Sequence, residues 1–310
     1  MVQPQTDLRI GRDDAEGILR RWLGEPVTCT DIEPLHGGMI NSVLQLTFDK
    51  APYSAVIKLS GNGDFSSESR QLRYLNERTQ LPCPHVYLED HSRDRLPYAF
   101  LLLETVPGVS MAGGRFPASD RAQIERELAD ALLELHSHRR EAFGSVWEEG
   151  RQRWTDVFVP RLREVRTKEE VDARLGQDVL RDVDAAIEVA ASVLADQGAP
   201  TLIHGDIWAA NVMVVQKDDG WHLSALVDPG IQFADVEMEL AYLQVFNTAG
   251  QPFFEAYTAE RPLRPGYDTR KLFYWLRTYL VHVWLFGDRH YRQMTARVAE
   301  EIGQRTSHFV

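Results

Sequence analysis

At 310 residues the chain is long enough for one large or two medium domains, and 44% hydrophobic with 26% charged residues is the composition of a soluble globular protein. A formal net charge of −12 argues against a nucleic-acid or anionic-membrane surface and fits a soluble enzyme, a cationic substrate being one option. No window approaches the roughly 18 uncharged apolar residues of a membrane span, the first residues lack the apolar stretch of a secretory signal, and Cys29 and Cys83 have no metal-ligand spacing, so two reduced thiols in a cytoplasmic protein are expected.

In chain order, "DDAEGILRRWLG" (13–24) reads as an amphipathic helix ended by Gly24. Three strand-like runs follow at 27–35, 41–48 and 53–60, punctuated by Gly37, Gly38, Asp49, Lys50 and Pro52, the pattern of an antiparallel meander. Residues 64–78 read as a helix, and 86–90 and 98–104 as two more strands. After Pro107-Gly108 the texture changes. Ser119 is placed to cap a helix with Ile124, Leu128, Leu132 and Leu135 on one face. A helix is expected near 178–197, strands within 201–228, and mostly helix from 236 onward. There Leu272, Trp275, Leu276, Tyr279, Leu280, Val283 and Trp284 form a core-facing stripe. A β-rich first third joined by a Pro/Gly hinge to a larger helical part is a two-lobed α+β architecture, with a ligand expected in the cleft between the lobes.

The chemistry centres on "LIHGDIWAANVMV" (202–214). Asp206 and Asn211 stand five residues apart in a loop between strand-like runs, the spacing at which a protein kinase places its base and a metal ligand. Either residue alone reads as an Asx turn. Asp228, at the end of a strand about twenty residues on, supplies the second hard oxygen ligand that Mg²⁺ requires. A protein-kinase-like fold is then expected: a small antiparallel β-rich N-lobe over 1–104, a hinge at 105–109, and a larger, mainly helical C-lobe over 110–310.

That frame asks for a strand lysine to meet the ATP phosphates and a helix glutamate to hold it. "SAVIKLS" supplies Lys58, and Glu68 follows ten residues later, with Glu77 as the other acid of that helix. The turn "LHGGMINSV" (35–43) is neither GxGxxG nor a Walker A sequence. Its place before the lysine strand suits a phosphate-covering loop, with Gly37 and Gly38 giving backbone N–H groups and Asn41 and Ser42 polar contacts. Glu104, Thr105 and Val106 are named by position as the backbone that meets adenine. His204 reads as structural, since no GxSxG nucleophile motif accompanies it, and His136 as packing or capping. No HExxH or comparable spacing points to zinc.

These residues resemble a known family. "HGDIWAAN" looks like the catalytic loop of aminoglycoside phosphotransferase-like kinases, and "LLELHS" is similar to a helix that recurs among them. Trp208 narrows the resemblance to the HGDxWxxN form of the fructosamine (ketosamine) kinases. "GGMIN" (37–41), "LVDPGIQFADVEMELAY" (226–242) and "YLVHVWLFGDRHY" (279–291) fit the same family, so the resemblance spans about residues 35 to 291. It implies Asp206 as base, Asn211 and Asp228 as Mg²⁺ ligands, Lys58 with Glu68 as phosphate anchor, and ATP as donor. The implied acceptor is a sugar hydroxyl of a ketosamine, free or on a glycated amine. Ala209-Ala210, Met39 and Gly230 depart from the family's commoner residues and leave the exact acceptor open. Trp208 is either a stacking face for the acceptor or a packing residue. Asp235, with Glu237 and Glu239, either meets an amine on the acceptor or caps the next helix. The alternatives are an aminoglycoside, macrolide, choline or thiosugar as acceptor, or a non-catalytic nucleotide-binding scaffold. The scaffold reading is disfavoured because lysine, base and metal ligands are all present. A protein kinase is disfavoured because DFG and APE are missing.

Overall fold

A computed structural model describes residues 8–35 and 41–307. Along the chain run α1 (Arg12–Leu23), β1 (Cys29–Pro34), β2 (Ser42–Phe48), β3 (Ser54–Ser60), α2 (Ser66–Arg78), β4 (Val86–Asp90) and β5 (Ala99–Glu104). Then come β6 (Val109–Ser110), α3 (Ala118–Leu135), β7 (Gly144–Ser145), α4 (Thr155–Arg166), α5 (Glu169–Arg174), α6 (Gln177–Val193) and β8 (Thr201–Ile203). The last elements are β9 (Val212–Lys217), β10 (Gly220–Leu226), β11 (Gln232–Ala234), α7 (Glu237–Val245), α8 (Gln251–Glu260), α9 (Tyr267–Leu285) and α10 (Arg289–Thr306). The mixed α/β fold, with an antiparallel sheet first and helices later, is the expected class.

The chain forms two compact units, Met1–Asp120 with Ala210–Pro229, and Arg121–Ala209 with Gly230–Val310. The first division between them falls at 120/121. The β9–β10 hairpin, expected among the C-lobe residues, clusters with the first unit because β9 pairs with β6 there (Val109↔Val214). That pairing is close. Gly108 has φ +102°, and a Cβ at this position would lie 2.0 Å from the Val214 carbonyl oxygen, so only glycine fits.

In the first unit, β1 to β5 make one antiparallel sheet in the order β1-β2-β3-β5-β4. The first three strands are the expected meander. Buried and half-buried positions alternate along β2, whereas β3 and β5 are buried almost throughout, as central strands covered on both faces are. The core includes Leu19, Leu46, Ile57, Leu59 and Leu102.

In the second unit, α4, α6, α9 and α10 enclose a core of Trp154, Phe158, Leu162, Val183, Leu276, Leu280 and Ile302. Leu272, Leu276, Tyr279, Leu280 and Val283 of the expected stripe are buried, with Trp275 and Trp284 half-buried at its margin. Helix α3 begins one residue before Ser119, directly after Pro117, so Ser119 lies within the first turn instead of capping it. No helix among the described residues is long and apolar enough to cross a membrane.

The second unit also buries charge. Arg270 on α9 meets Glu237 on α7 at 2.6 and 2.8 Å, both residues almost wholly withdrawn from water, and Arg264 meets Asp235 at 2.6 Å. Glu237 also meets Arg264 at 2.9 Å, so removing Arg270 leaves two buried carboxylates, Asp235 and Glu237, to share one guanidinium. Arg270→Leu is therefore expected to destabilise the fold by about 3–5 kcal/mol, read as a shift of the urea unfolding midpoint.

Candidate active site

Lys58 lies on β3, a central strand, with 8% of its surface exposed. A lysine so enclosed needs partners, and two carboxylates supply them. Its Nζ donates to Glu68 Oε1 at 2.6 Å and to Asp228 Oδ1. Burial disfavours the ammonium form, but the Asp228 and Glu68 charges and hydrogen bonds outweigh burial and hold the lysine pKa above its ordinary value. Glu68, in the first turn of α2, is pushed up by burial and by the neighbouring Asp228, against the pull of Lys58. One ammonium between two carboxylates leaves the cluster with surplus negative character, an environment suited to a further cation. Glu68, not Glu77, is the partner.

The β9–β10 register brings in the next two residues. The last pair is Val212↔Leu226, and beyond it the Val227 N–H donates to the Asn211 carbonyl at 3.0 Å. Asn211 and Asp228 thus leave the same end of the hairpin, Asn211 buried and Asp228 half-exposed. Asp228 has φ +56°, a left-handed conformation that a non-glycine residue holds at some cost and that turns the chain sharply after β10. Ser110 Oγ donates to the Ala210 carbonyl at 3.1 Å and steadies the turn before Asn211. Both candidate ligands offer oxygen donors that fit a hard cation such as Mg²⁺. Among the described residues no three His, Cys, Asp or Glu side chains converge as a metal site of their own.

Glu104 ends β5, with its N–H donated to the His85 carbonyl at 2.9 Å and its carboxylate accepting from the His85 N–H at 3.1 Å. Thr105 and Val106 follow outside any strand, both half-buried. Asn41 is half-buried just before β2, while Gly37 and Gly38 lie outside the described residues.

Asp206 belongs to the second unit. Its Oδ1 accepts a hydrogen bond of 2.5 Å from the hydroxyl of Tyr242 on α7. Burial, then the Asp206 charge, drives the tyrosine pKa far above its ordinary value, so Tyr242 stays protonated and donates. The backbone before Asp206 is held from beneath by Glu239. That buried carboxylate accepts the N–H groups of His204 and Gly205 at 3.1 and 2.6 Å and a bond from His136 Nε2 at 2.8 Å. The other nitrogen of His136 meets the Tyr257 hydroxyl at 2.7 Å. Burial pushes the His136 pKa down, and the burial that would raise that of Glu239 is outweighed by the His136 hydrogen bond and charge, the His204 charge and the Gly205 N–H together, which hold its carboxyl below the ordinary value. Gly205, with φ +85°, could not carry a Cβ, which would sit 2.3 Å from the Gly230 carbonyl oxygen.

Trp208 is half-buried. Asp235 is not open to an acceptor amine. It is 1% exposed, and its carboxylate accepts from the Gly198 and Glu237 N–H groups and pairs with Arg264, so it secures the start of α7. Tyr242 and the specific task of Glu239 escaped the sequence reading. Their only trace there is helical spacing, three residues apart in an acidic run.

The profile of the fructosamine kinase family matches residues 13–304. The chain belongs to the fructosamine kinase family. It is an ATP-dependent phosphotransferase. A Staphylococcus aureus protein named probable ketoamine kinase is 26% identical over 89% of this chain and 94% of its own length, and an Enterococcus faecium protein of the same name is 26% identical over 84% and 91%. Among solved structures, a Thermobifida fusca protein assigned as a fructosamine-3-kinase superposes with a TM-score of 0.72 at 22% identity, covering 95% of this chain and all of its own. The aminoglycoside phosphotransferase APH(4)-Ia superposes at 0.69 with 17% identity, covering 95% and 99%. At these identities the two structures speak to the fold, which is thus kinase-like.

Glu239→Gln keeps one acceptor but turns an amide donor toward a backbone N–H. Turnover is expected to fall about 10²-fold through displacement of the loop, with nucleotide affinity retained, as steady-state kinetics beside equilibrium nucleotide binding would report.

Proposed function

We propose that the chain transfers the γ-phosphoryl group of ATP to a sugar hydroxyl of a ketosamine such as a fructosamine or ribulosamine, with Mg²⁺ as the companion ion. The observation that carries this reading is the Lys58–Glu68–Asp228 cluster, with its lysine buried, in a member of the fructosamine kinase family. Relatives named ketoamine kinases support the choice of acceptor.

Phosphoryl transfer asks little covalent chemistry of the protein and much positioning and charge placement. Asp206 orients the acceptor hydroxyl and takes its proton, while the Tyr242 hydroxyl fixes the carboxylate that does so. Lys58 offsets phosphate charge, and Glu68 keeps it in place. Asn211 and Asp228 would hold Mg²⁺, which when bound supplies positive charge across the phosphate oxygens. The backbone of Glu104 and Val106 would meet the adenine, and Gly37, Gly38 and Asn41 the phosphates. Trp208 would lie against the acceptor sugar. The acceptor is a small amino-sugar or a glycated amine.

The test is transfer of labelled phosphate from ATP with Mg²⁺ to a panel of ketosamines, ribulosamines and aminoglycosides. Label is expected in a ketosamine. Label only in an aminoglycoside, or in nothing, would overturn the proposed acceptor. Asp206→Asn is expected to lower turnover by about 10²–10⁴-fold with nucleotide still bound. Lys58→Met is expected to weaken nucleotide binding and turnover together, measured by titration and initial rates.

A further inference from the structure

Four arginines of the second unit that are at least partly withdrawn from water each meet a carboxylate. Arg121 reaches Glu125 at 2.7 Å, Arg166 reaches Asp172 at 2.7 Å, Arg264 reaches Asp235 at 2.6 Å and Arg270 reaches Glu237 at 2.6 Å. Arg161 on α4 and Arg277 on α9, both half-buried, have no ion pair among the described residues. Arg161 donates to the side chain of Gln232, a neutral partner. Glu164, one turn along α4, is committed to Lys168 at 3.1 Å. The Nε of Arg277 is shut off from water and has no hydrogen-bond partner among the described residues.

The two charges also feel each other. Burial first, and then the charge of Arg161, lowers the Arg277 pKa. Arginine nevertheless stays protonated in a protein, so two half-buried cations, helped by the Glu148 and Glu164 charges without an ion pair to either, have room for an anion. Their surroundings point to the acceptor. Arg277 is close enough to Tyr242 for the two to influence each other's charge, and the hydroxyl of that tyrosine is bonded to Asp206. The Tyr242 ring packs on Phe246 at 4.9 Å, Phe246 on His282 at 5.3 Å, and His282 on Tyr291 at 4.5 Å, giving an aromatic wall beside the same carboxylate.

We propose that Arg161 and Arg277 form an anion subsite for the acceptor, taking the carboxylate of a ketosamine built on an amino acid. Planar guanidinium forks match a carboxylate, and charge-assisted bonds of this kind are the stronger class. The proposal rests on the phosphotransfer reading above and names the substrate class within it. In a chain of net charge −12, two cations with no ion pair among the described residues, tempered only by the charges of Glu148 and Glu164, select against ketosamines of neutral amines.

The test compares the ketosamine of glycine with that of glycinamide, which differ in the carboxylate alone. The glycine compound is expected to show a kcat/KM higher by about 10- to 100-fold, and this ratio is expected to collapse toward one in Arg161→Met and in Arg277→Met. Equal values in the unaltered protein, or a preference that survives in both variants, would overturn the subsite while leaving the kinase reading intact. A second measurement needs no turnover. Acetate, against acetamide at matched ionic strength, is expected to raise the melting temperature of the unaltered protein and not that of either variant. Absence of the rise, or its persistence in the variants, would overturn the subsite. A rise lost in the variants together with no transfer to any ketosamine would uphold the subsite and reject the proposed acceptor.

Discussion

An ammonium group enclosed in a β-sheet is the constraint to which the first unit is built. Lys58 keeps its charge only because Glu68 and Asp228 come to it from two other segments, one on a helix and one at the end of a hairpin. Each must be delivered by ordinary folding. The β3–β5 register puts Lys58 opposite Leu101 in the middle of the sheet, α2 carries Glu68 in its first turn, and a left-handed residue after β10 turns Asp228 toward the lysine. Loss of any of these would leave a buried charge without its answer, which is costlier than loss of a neutral contact. The proposed phosphate chemistry and the stability of the interior therefore fall on the same three side chains.

The second unit solves a related problem with the sign reversed. Glu239 is a buried anion whose partners are two backbone N–H groups and a histidine, and by satisfying it the loop before Asp206 acquires a fixed course. Tyr242, one turn further along the same helix, fixes the side chain of Asp206 itself. Helix α7 thus sets both the backbone and the carboxylate of the proposed base. Asp235 and Glu237, at the start of this helix, are spent on Arg264 and Arg270 and anchor it in turn.

Much of this was readable in the sequence because the decisive signals are local. A lysine amid apolar residues, a glutamate ten residues later, an acid and an amide five apart, and strands marked off by turn residues all declare themselves over short windows. What escaped has physical reasons. Strands β6, β7 and β11 are two or three residues long, too short to show a period, although β6 decides to which unit the β9–β10 hairpin belongs. Helix α4 carries Pro160 and several β-branched residues, which mask a helical signature that tertiary burial restores. Tyr242 and Glu239 act on residues more than thirty positions away, and a tyrosine or glutamate that serves a distant loop looks in the sequence like any other helical residue. Asp235 has the composition of a binding residue and the environment of a helix anchor, a distinction that only burial can make.

The hairpin of β9 and β10 has one end that carries the proposed ligands and one that does not. Asn211 and Asp228 leave its open end, while Lys217↔Gly220 closes the other, with the whole ladder of cross-strand bonds between them. The ladder separates Asn211 and Asp228 from events at the tip. The tip, where the exposed Asp219 meets only His222 of the same hairpin at 3.0 Å, is a natural point for attaching a fluorophore or an affinity handle that reports on this unit without touching Asn211 or Asp228.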